Sequence, residues 1–310
     1  MKANKFFMGI ATLAVSTLVL GACASDDADK ESNESSNSTA ASKTSDTESS
    51  AEVVSGASLQ DGTYSLKELN DKNGYHAVFS ITAKEGKITE SKFDYLDKDG
   101  KSKTEDADYN KNMKDKSGVA PEEYIPQLNE ALEKEQNPAN VEVVTGATHS
   151  SNSFQNYAQQ LVQAAQAGNS EEIEIDNGAK LQDGTYTLEE KNYSNGYRTV
   201  FSIVVEDGKV AESNFDSVNK DGKSKTEDAD YEKNMKDKSG VGPKEYTKTL
   251  NEDLVKVMNG DEDEASPADV DVVTGATHSS HTFILYAEQL INAAEKGDTD
   301  KIEVDNFVEE

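Results

Sequence analysis

Residues 59–175 and 181–304 of this 310-residue chain are two copies of one sequence. Leu59–Tyr64 and Leu181–Tyr186 are identical and set an offset of 122 residues between the copies. The second copy gains an acidic insertion around residues 259–266, and the later TGATHSS segments at 145–151 and 274–280 are therefore 129 residues apart. A duplication of this length predicts two tandem domains of one fold. The predicted segments are an export signal (1–22), a modified cysteine with a tether (23–57), a first domain (58–175), a linker (176–180), a second domain (181–304) and a tail (305–310).

The hydrophobic pattern within each copy predicts strands first and helices afterwards. In the first copy, residues 63–69, 75–83 and 88–96 alternate in polarity and are separated by turn residues, which is typical of an antiparallel meander. Residues 105–116 and 121–135 have helical character, and 141–144 favour a short strand. After the TGATHSS segment, Phe154, Tyr157 and Leu161 follow helical spacing. The pattern predicts an α+β fold in which a strand, a tight turn and a helix surround TGATHSS.

The N-terminus has the composition of an export signal. Lys2 and Lys5 precede an uncharged apolar run from Phe6 to Leu20, and small residues follow up to Cys23. This end resembles a bacterial lipobox, and Cys23 is the only cysteine of the chain. A diacylglyceryl thioether on Cys23 would anchor the chain outside the cell membrane by its lipid, whereas the alternative is an incidental small residue. The following residues contain no large apolar side chain and predict a disordered tether.

The charge of the chain excludes two classes of partner. With 31 basic and 60 acidic residues, its formal net charge is −29. Nucleic acids and anionic membrane surfaces would be repelled. Two explanations of the acidity stay open: solubility, or a field that concentrates cationic partners such as metal ions.

The TGATHSS segments carry the residues best suited to hold an anion. A glycine turn before a helix lets backbone amides at the helix start face a phosphate, and alanine adds no bulk. The threonine that follows would offer its hydroxyl beside that phosphate. The alternative is an ordinary Ser or Thr helix cap.

These segments resemble the Asp-x-x-Ser/Thr-Gly-Ala-Thr motif of FMN-binding domains, found in sodium-pumping NADH:quinone reductases, Rnf complexes and Gram-positive flavin lipoproteins. Asp271 precedes the second turn as in the motif, whereas Glu142 replaces the aspartate before the first turn. The resemblance implies that Thr148 and Thr277 are esterified by FMN phosphate, giving two covalent FMN groups. It also implies a partner, a magnesium-dependent ApbE-type flavin transferase. The remaining residues of the two implied binding turns are Thr145, Gly146, Ala147, Thr274, Gly275 and Ala276.

Three further pairs are candidate cofactor contacts. They are His149 and His278 beside the implied attachment residues, Met113 and Met235 for a flavin face, and Lys116 and Lys238 for its electronegative edge. The alternative for each pair is a solvated turn or helix end. A similar segment ending at Ser58 is rejected as an attachment site, because a strand rather than a helix is predicted to follow it.

No pattern for hydrolytic catalysis or metal binding is present in the sequence. The histidines show no metal-ligand spacing, and no Ser, His and Asp set stands out. The segment Asp97–Gly100 departs from a calcium loop and is interpreted as a turn. We therefore expect no catalytic residue of a hydrolase and no metal site.

The leading functional hypothesis is an extracellular, lipid-anchored electron carrier. The resemblance implies that FMN takes electrons from a membrane quinone-linked donor and passes them to extracellular acceptors such as ferric iron. Two alternatives stay open. One is a solute-binding lipoprotein whose TGAT turns hold a free anion, and the other is a signalling lipoprotein whose cleaved signal yields a peptide pheromone.

Overall fold

The computed structural model describes residues 56–260 and 265–308. The predicted export signal, Cys23 and most of the tether lie outside these residues. The first copy forms β1 (Gly62–Glu68), β2 (Tyr75–Lys84), β3 (Lys87–Asp97), α1 (Ala107–Ser117), α2 (Pro121–Glu135), α3 (Thr148–Ala167) and β4 (Ile173–Ile175). The second copy forms β5 (Gly184–Glu190), β6 (Tyr197–Glu206), β7 (Lys209–Asn219), α4 (Ala229–Ser239), α5 (Pro243–Met258), α6 (Thr277–Lys296) and β8 (Ile302–Val304). The predicted α+β fold is confirmed.

Each copy builds one four-stranded sheet. The strand orders are β3-β2-β1-β4 and β7-β6-β5-β8. The first three strands of each sheet are antiparallel, as predicted, and the last strand pairs parallel to the first. Both copies use one register, since Tyr64 lies opposite Ile81 and Tyr186 lies opposite Ile203. The 122-residue sequence offset is therefore also a structural offset.

Aromatic rings form the centre of each hydrophobic core. Phe79 and Phe93 project from the sheet, and Phe154 of α3 packs against both, with ring centroids 4.8 and 5.2 Å away. Phe201, Phe215 and Phe283 repeat the arrangement in the second copy. Aromatic pairs of this kind contribute about 0.5–1.5 kcal/mol each beyond the burial of their surface. The sheet and the long helix are thereby locked together.

The edge strand β3 is covered by a side chain of α2. Asn129 Oδ1 accepts a hydrogen bond from the amide of Phe93 at 2.8 Å, and its Nδ2 donates to the carbonyl of Phe93 at 3.1 Å. Asn251 bonds Phe215 in the same way. An amide side chain thus imitates a neighbouring strand and satisfies an otherwise free sheet edge.

The first predicted helix begins later than the sequence pattern indicated. Residues 103–105 form a 3₁₀ turn, and α1 starts at Ala107 instead of Glu105. The carboxylate of Asp106 accepts a hydrogen bond from the amide of Tyr109 and so caps the helix start. Asp97–Gly100 forms the predicted turn, in which Gly100 donates to the carbonyl of Asp97 at 2.9 Å.

The predicted strand at residues 141–144 is wrong. The segment belongs to no strand, because side chains of α3 take up its backbone groups. Ser151 Oγ accepts from the amide of Val144 and donates to the carbonyl of Ala147, both at 3.0 Å. Ser280 does the same for Val273 and Ala276. The strand that completes the sheet is β4, which the sequence analysis missed because it has three residues and pairs with a distant segment.

The two copies pack together through α3 and α6. Asn156 donates to Asn292 at 2.9 Å, and Gln163 donates to Gln289 at 3.3 Å. An early residue of α3 thus meets a late residue of α6, so the helices run in opposite directions. Glu288 lies in this polar contact, which we call the helix seam, and is 8% exposed.

Within the part of the chain that the structure describes, no helix combines the length and apolar character needed to cross a membrane.

Replacing Ser151 with alanine should lower the free energy of unfolding by about 1–3 kcal/mol, because the buried amide of Val144 would lose its partner. Ser153→Ala, two residues further along α3, is the matched control, since that half-buried hydroxyl has no hydrogen-bond partner among the described residues. Urea denaturation measures both. Equal stability of the two variants would contradict the structural role of Ser151.

Stability should fall as the pH rises from about 4.5 to about 8. Burial raises the pKa of Glu288 to about 8, with Asp269 and Glu295 adding to the shift against a hydrogen bond to Asn156. Burial also raises the pKa of Glu295 to about 7. A carboxyl group with a raised folded-state pKa binds more protons folded than unfolded, so deprotonation destabilises the fold.

Glu288→Gln tests this pH dependence. The variant should show a smaller loss of unfolding free energy between pH 4.5 and pH 8 than the unmodified chain. Glu130→Gln removes an equal charge from an exposed position of α2 and should keep the original slope. Parallel curves for all three proteins would show that Glu288 does not titrate in the folded seam.

Candidate functional site

Each TGAT segment forms a tight turn that ends at a helix start. The amide of Ala147 donates to the carbonyl of Val144 at 2.9 Å, and Gly146 has φ 84°. A positive φ at the third position of such a turn is typical of type II and favours glycine. Gly275 also has φ 84°, and the amide of Ala276 donates to the carbonyl of Val273. Two identical turns thus set the direction of α3 and α6.

The glycine also permits a close approach between elements. A Cβ atom placed on Gly146 would collide with the backbone carbonyl of Ser117 at the end of α1. Gly275 approaches the carbonyl of Ser239 in the same way. The end of α1 or α4 is therefore held directly against the TGAT turn of its own copy.

The helix start fits a phosphate. The residue before α3 is Ala147, which is 4% exposed and provides no side-chain cap. Among the described residues, no group accepts a hydrogen bond from the backbone amides of Thr148, His149 or Ser150. The start of α6 has the same geometry. Uncapped amides and the positive end of the helix dipole form an anion site.

The threonines predicted as attachment residues are the first residues of the two helices. Thr148 begins α3 and Thr277 begins α6, and both are exposed. Thr145 and Thr274 are exposed as well, at the other side of each turn. The predicted alternative of a Ser or Thr helix cap does not apply, because alanine occupies the cap position. The exposed hydroxyl and the uncapped amides together suit a phosphate ester.

The predicted methionine and lysine contacts lie on α1 and α4. Met113 and Met235 are half-buried against the hydrophobic cores of their copies. Lys116 and Lys238 are exposed, one residue before the serines that touch the TGAT turns. The lysines thus lie close in sequence to the residues that contact the TGAT turns. The methionine side chains pack partly against the hydrophobic cores.

The two predicted histidines have different surroundings. His149 is exposed, and its Nε2 lies 3.6 Å from Asp269 Oδ1 of the other copy. His278 lines a cavity between the copies. The duplication therefore did not give both turns the same neighbours.

A group of tyrosines that the sequence pattern did not predict lies behind the first turn. Ser150 Oγ donates to the hydroxyl of Tyr124 at 3.2 Å. Burial raises the pKa of Tyr124 to about 12 and that of Tyr95, which also contacts Ser150, well above its usual range. In the second copy Ser217 replaces Tyr95. Tyrosine spacing alone gave no signal, because the strand pairing brings these residues together.

Two further pairs were also missed. Tyr157 donates to Glu68 at 2.6 Å, and Tyr286 donates to Glu190 at 2.8 Å. Burial, followed by the adjacent carboxylate, raises the pKa of both tyrosines. The only sequence signal was their occurrence at equivalent positions of both copies.

The structure shows the surroundings of Ser58 and of the side chains that could bind a metal ion. Ser58 is exposed and precedes β1 without an intervening helix, although residues 52–55 of its motif-like segment lie outside the described part. Within residues 56–260 and 265–308, no cluster of three or more His, Cys, Asp or Glu side chains is arranged to hold a metal ion.

Gly146→Ala should destabilise the chain more than Gly118→Ala. Both glycines have a positive φ, which costs a residue with a Cβ atom about 1–2 kcal/mol. A Cβ on Gly118 meets open space, whereas one on Gly146 meets the carbonyl of Ser117. Thermal and urea unfolding of the two variants measure the difference. Equal losses would show that the close approach of α1 to the turn is not required.

Comparisons with known proteins show the family to which the chain is similar. The family model described as the FMN-binding domain matches residues 74–163, and the same motif recurs in the second copy. The 15 kDa lipoprotein of Treponema pallidum (strain Nichols) is 39% identical over 118 residues, which are 38% of this chain and 84% of that protein.

Two solved structures are also similar. The crystal structure of the CPE2226 protein from Clostridium perfringens has 39% sequence identity, covers 38% of this chain and 97% of its own, and gives a TM-score of 0.36. A solution NMR structure from Clostridium thermocellum has 22% identity, covers 34% and 92%, and gives a TM-score of 0.24. On the family match and the extent of the Treponema alignment, this chain belongs to the FMN-binding domain family.

Proposed function

We propose that this protein is a lipid-anchored electron carrier on the outer face of the cell membrane, with FMN esterified to Thr148 and Thr277. The observation that carries the proposal is the exposed threonine hydroxyl at an uncapped helix start, present once in each copy. When bound, FMN supplies one-electron and two-electron redox chemistry, and the protein supplies attachment and orientation.

The residues that would hold the phosphate come from the turn itself. The backbone amides of Thr148, His149 and Ser150 face outward from α3, and Gly146 and Ala147 keep side chains away from them. The equivalent residues of the second copy are Gly275, Ala276, Thr277, His278 and Ser279. Covalent attachment would keep the cofactor on a protein surrounded by dilute medium, where a dissociable ligand is lost.

The lipid anchor is supported by the lipobox-like end at Cys23 and by the name of a relative. The Treponema pallidum relative is a lipoprotein, and most of its length aligns with this chain. The two acyl chains of a diacylglyceryl group on Cys23 would give stable membrane attachment, whereas a single chain would be marginal. A tether of some 30 residues would let the folded part reach about 30 Å from the membrane.

The positions of the two threonines favour separate flavin sites. The helix seam crosses α3 near Gln160, so Thr148 lies roughly 18 Å along the helix from it. Because α3 and α6 run in opposite directions, Thr277 lies on the other side of the seam. Such an arrangement presents the two flavins to different surroundings, where they can meet a quinone-linked donor in the membrane and an acceptor such as ferric iron. The net charge of −29 would favour cationic acceptors.

Intact mass tests the attachment. The full chain, co-expressed with an ApbE-type flavin transferase and then denatured, should carry two FMN adducts. Thr148→Val and Thr277→Val should each remove one adduct, since valine keeps the shape of threonine without its hydroxyl. The double variant should carry none and be colourless.

Ser58→Ala is the matched control and should keep both adducts. Flavin colour that separates from the denatured chain would instead support a solute-binding lipoprotein that holds a free anionic ligand. An unmodified chain in the presence of active transferase, or adducts on the double variant, would refute the proposal.

A further inference from the structure

Two cavities lie between the copies and are built from equivalent positions. The first, of about 470 Å³, contains Glu190 and Tyr286 and is closed by Gln159 from the other copy; we call it the Gln159 cavity. The second, of about 720 Å³, contains Glu68 and Tyr157 and is closed by Glu288; we call it the Glu288 cavity. Gln159 and Glu288 occupy the same position in α3 and α6. The two cavities are therefore lined by equivalent positions of the two copies but by different side chains at some of them.

The shared part of both cavities is a fixed carboxylate. In the Gln159 cavity, Glu190 accepts from the hydroxyl of Tyr286 at 2.8 Å and from the amide of Thr199 at 2.6 Å. Glu68 is held in the same way by Tyr157 and by the amide of Ala77. Two hydrogen bonds hold each carboxylate in one orientation, so each cavity has a fixed polar group in its lining.

Three substitutions make the Gln159 cavity more apolar than its counterpart. Gln159 stands where the other cavity has Glu288, Leu285 stands for Asn156, and Phe307 stands for Gly178. The Glu288 cavity has five acidic side chains in its lining, whereas the Gln159 cavity has two, Glu135 and Glu190. Its volume is within the range of small-molecule sites, roughly 300–1,000 Å³.

The side chain of Gln159 is available to a ligand. It is 5% exposed and faces the cavity, and within the described part of the chain no group hydrogen-bonds its amide. Because no protein group uses this amide, it is free to donate a hydrogen bond to a carbonyl group of a ligand in the cavity. The geometry thus pairs a hydrogen-bond donor with an apolar wall formed by Leu285 and Phe307.

We propose that the Gln159 cavity binds a small uncharged ring compound with ring carbonyls, of the quinone class. The Gln159 amide would donate to a ring carbonyl, and Leu285 and Phe307 would pack on the ring. The fixed carboxylate of Glu190 and the negative charge of the chain disfavour anionic ligands. A redox-active ring is favoured because His278, which follows Thr277, lines the same cavity. This last step rests on the proposed function.

Binding of 1,4-naphthoquinone to the full chain, made without flavin transferase, tests the proposal by isothermal titration calorimetry. Saturable binding at one site is expected. Gln159→Leu, which removes the amide and keeps a similar side-chain volume, should weaken it roughly tenfold or more, because the ring carbonyl loses its hydrogen bond. Phe307→Gly, which copies Gly178 near the C-terminus, should also weaken it and leaves the helix seam intact.

Glu288→Gln alters the other cavity and should leave naphthoquinone affinity unchanged. Circular dichroism confirms that each variant is folded. Absence of saturable binding, or unchanged affinity in both Gln159→Leu and Phe307→Gly, would overturn the proposal, as would tighter binding of riboflavin than of naphthoquinone. Because the chain carries no flavin here, these outcomes are independent of the mass measurements on Thr148 and Thr277.

Discussion

The buried hydroxyl of Ser151, repeated by Ser280, determines the geometry on which each site depends. It joins the amide of Val144 to the carbonyl of Ala147 and so ties the TGAT turn to the second turn of the helix. Ser151 thus fixes the backbone of the turn, although the residue before the helix, Ala147, provides no side-chain cap. Among the described residues, the first amides of α3 and α6 have no hydrogen-bond acceptor, which is the arrangement that suits an anion.

The long helices meet three requirements at once. Their first residues form the proposed phosphate site, one face packs on the phenylalanine cluster of the sheet, and another face builds the helix seam. The seam consists largely of amide side chains, and its carboxyl group at Glu288 is shifted toward the protonated form by burial. Packing of the copies and the surroundings of the cavities are thus coupled through α3 and α6.

Duplication preserved the turns and changed what surrounds them. The TGATHSS sequences are identical, and both glycines have φ 84°. Tyr95 behind the first turn is replaced by Ser217, and His149 meets Asp269 whereas His278 faces a cavity. Substitutions at three cavity positions separate an acidic cavity from one that has an apolar wall. Two copies of one domain can therefore perform different parts of one function.

The sequence by itself determined the duplication, the meander, the α+β class and the turn that carries Thr148 and Thr277, because these depend on local pattern and on turn chemistry at Gly146 and Gly275. It misjudged residues 141–144, since an apolar run does not show that a serine on the following helix will take its amide. Only the tertiary structure decided the pairing of β4, the approach of Ser117 to Gly146, the tyrosines near Ser150 and the Gln159 cavity. These join residues far apart in the chain, and their contacts follow from sheet register and helix packing, which no local pattern records.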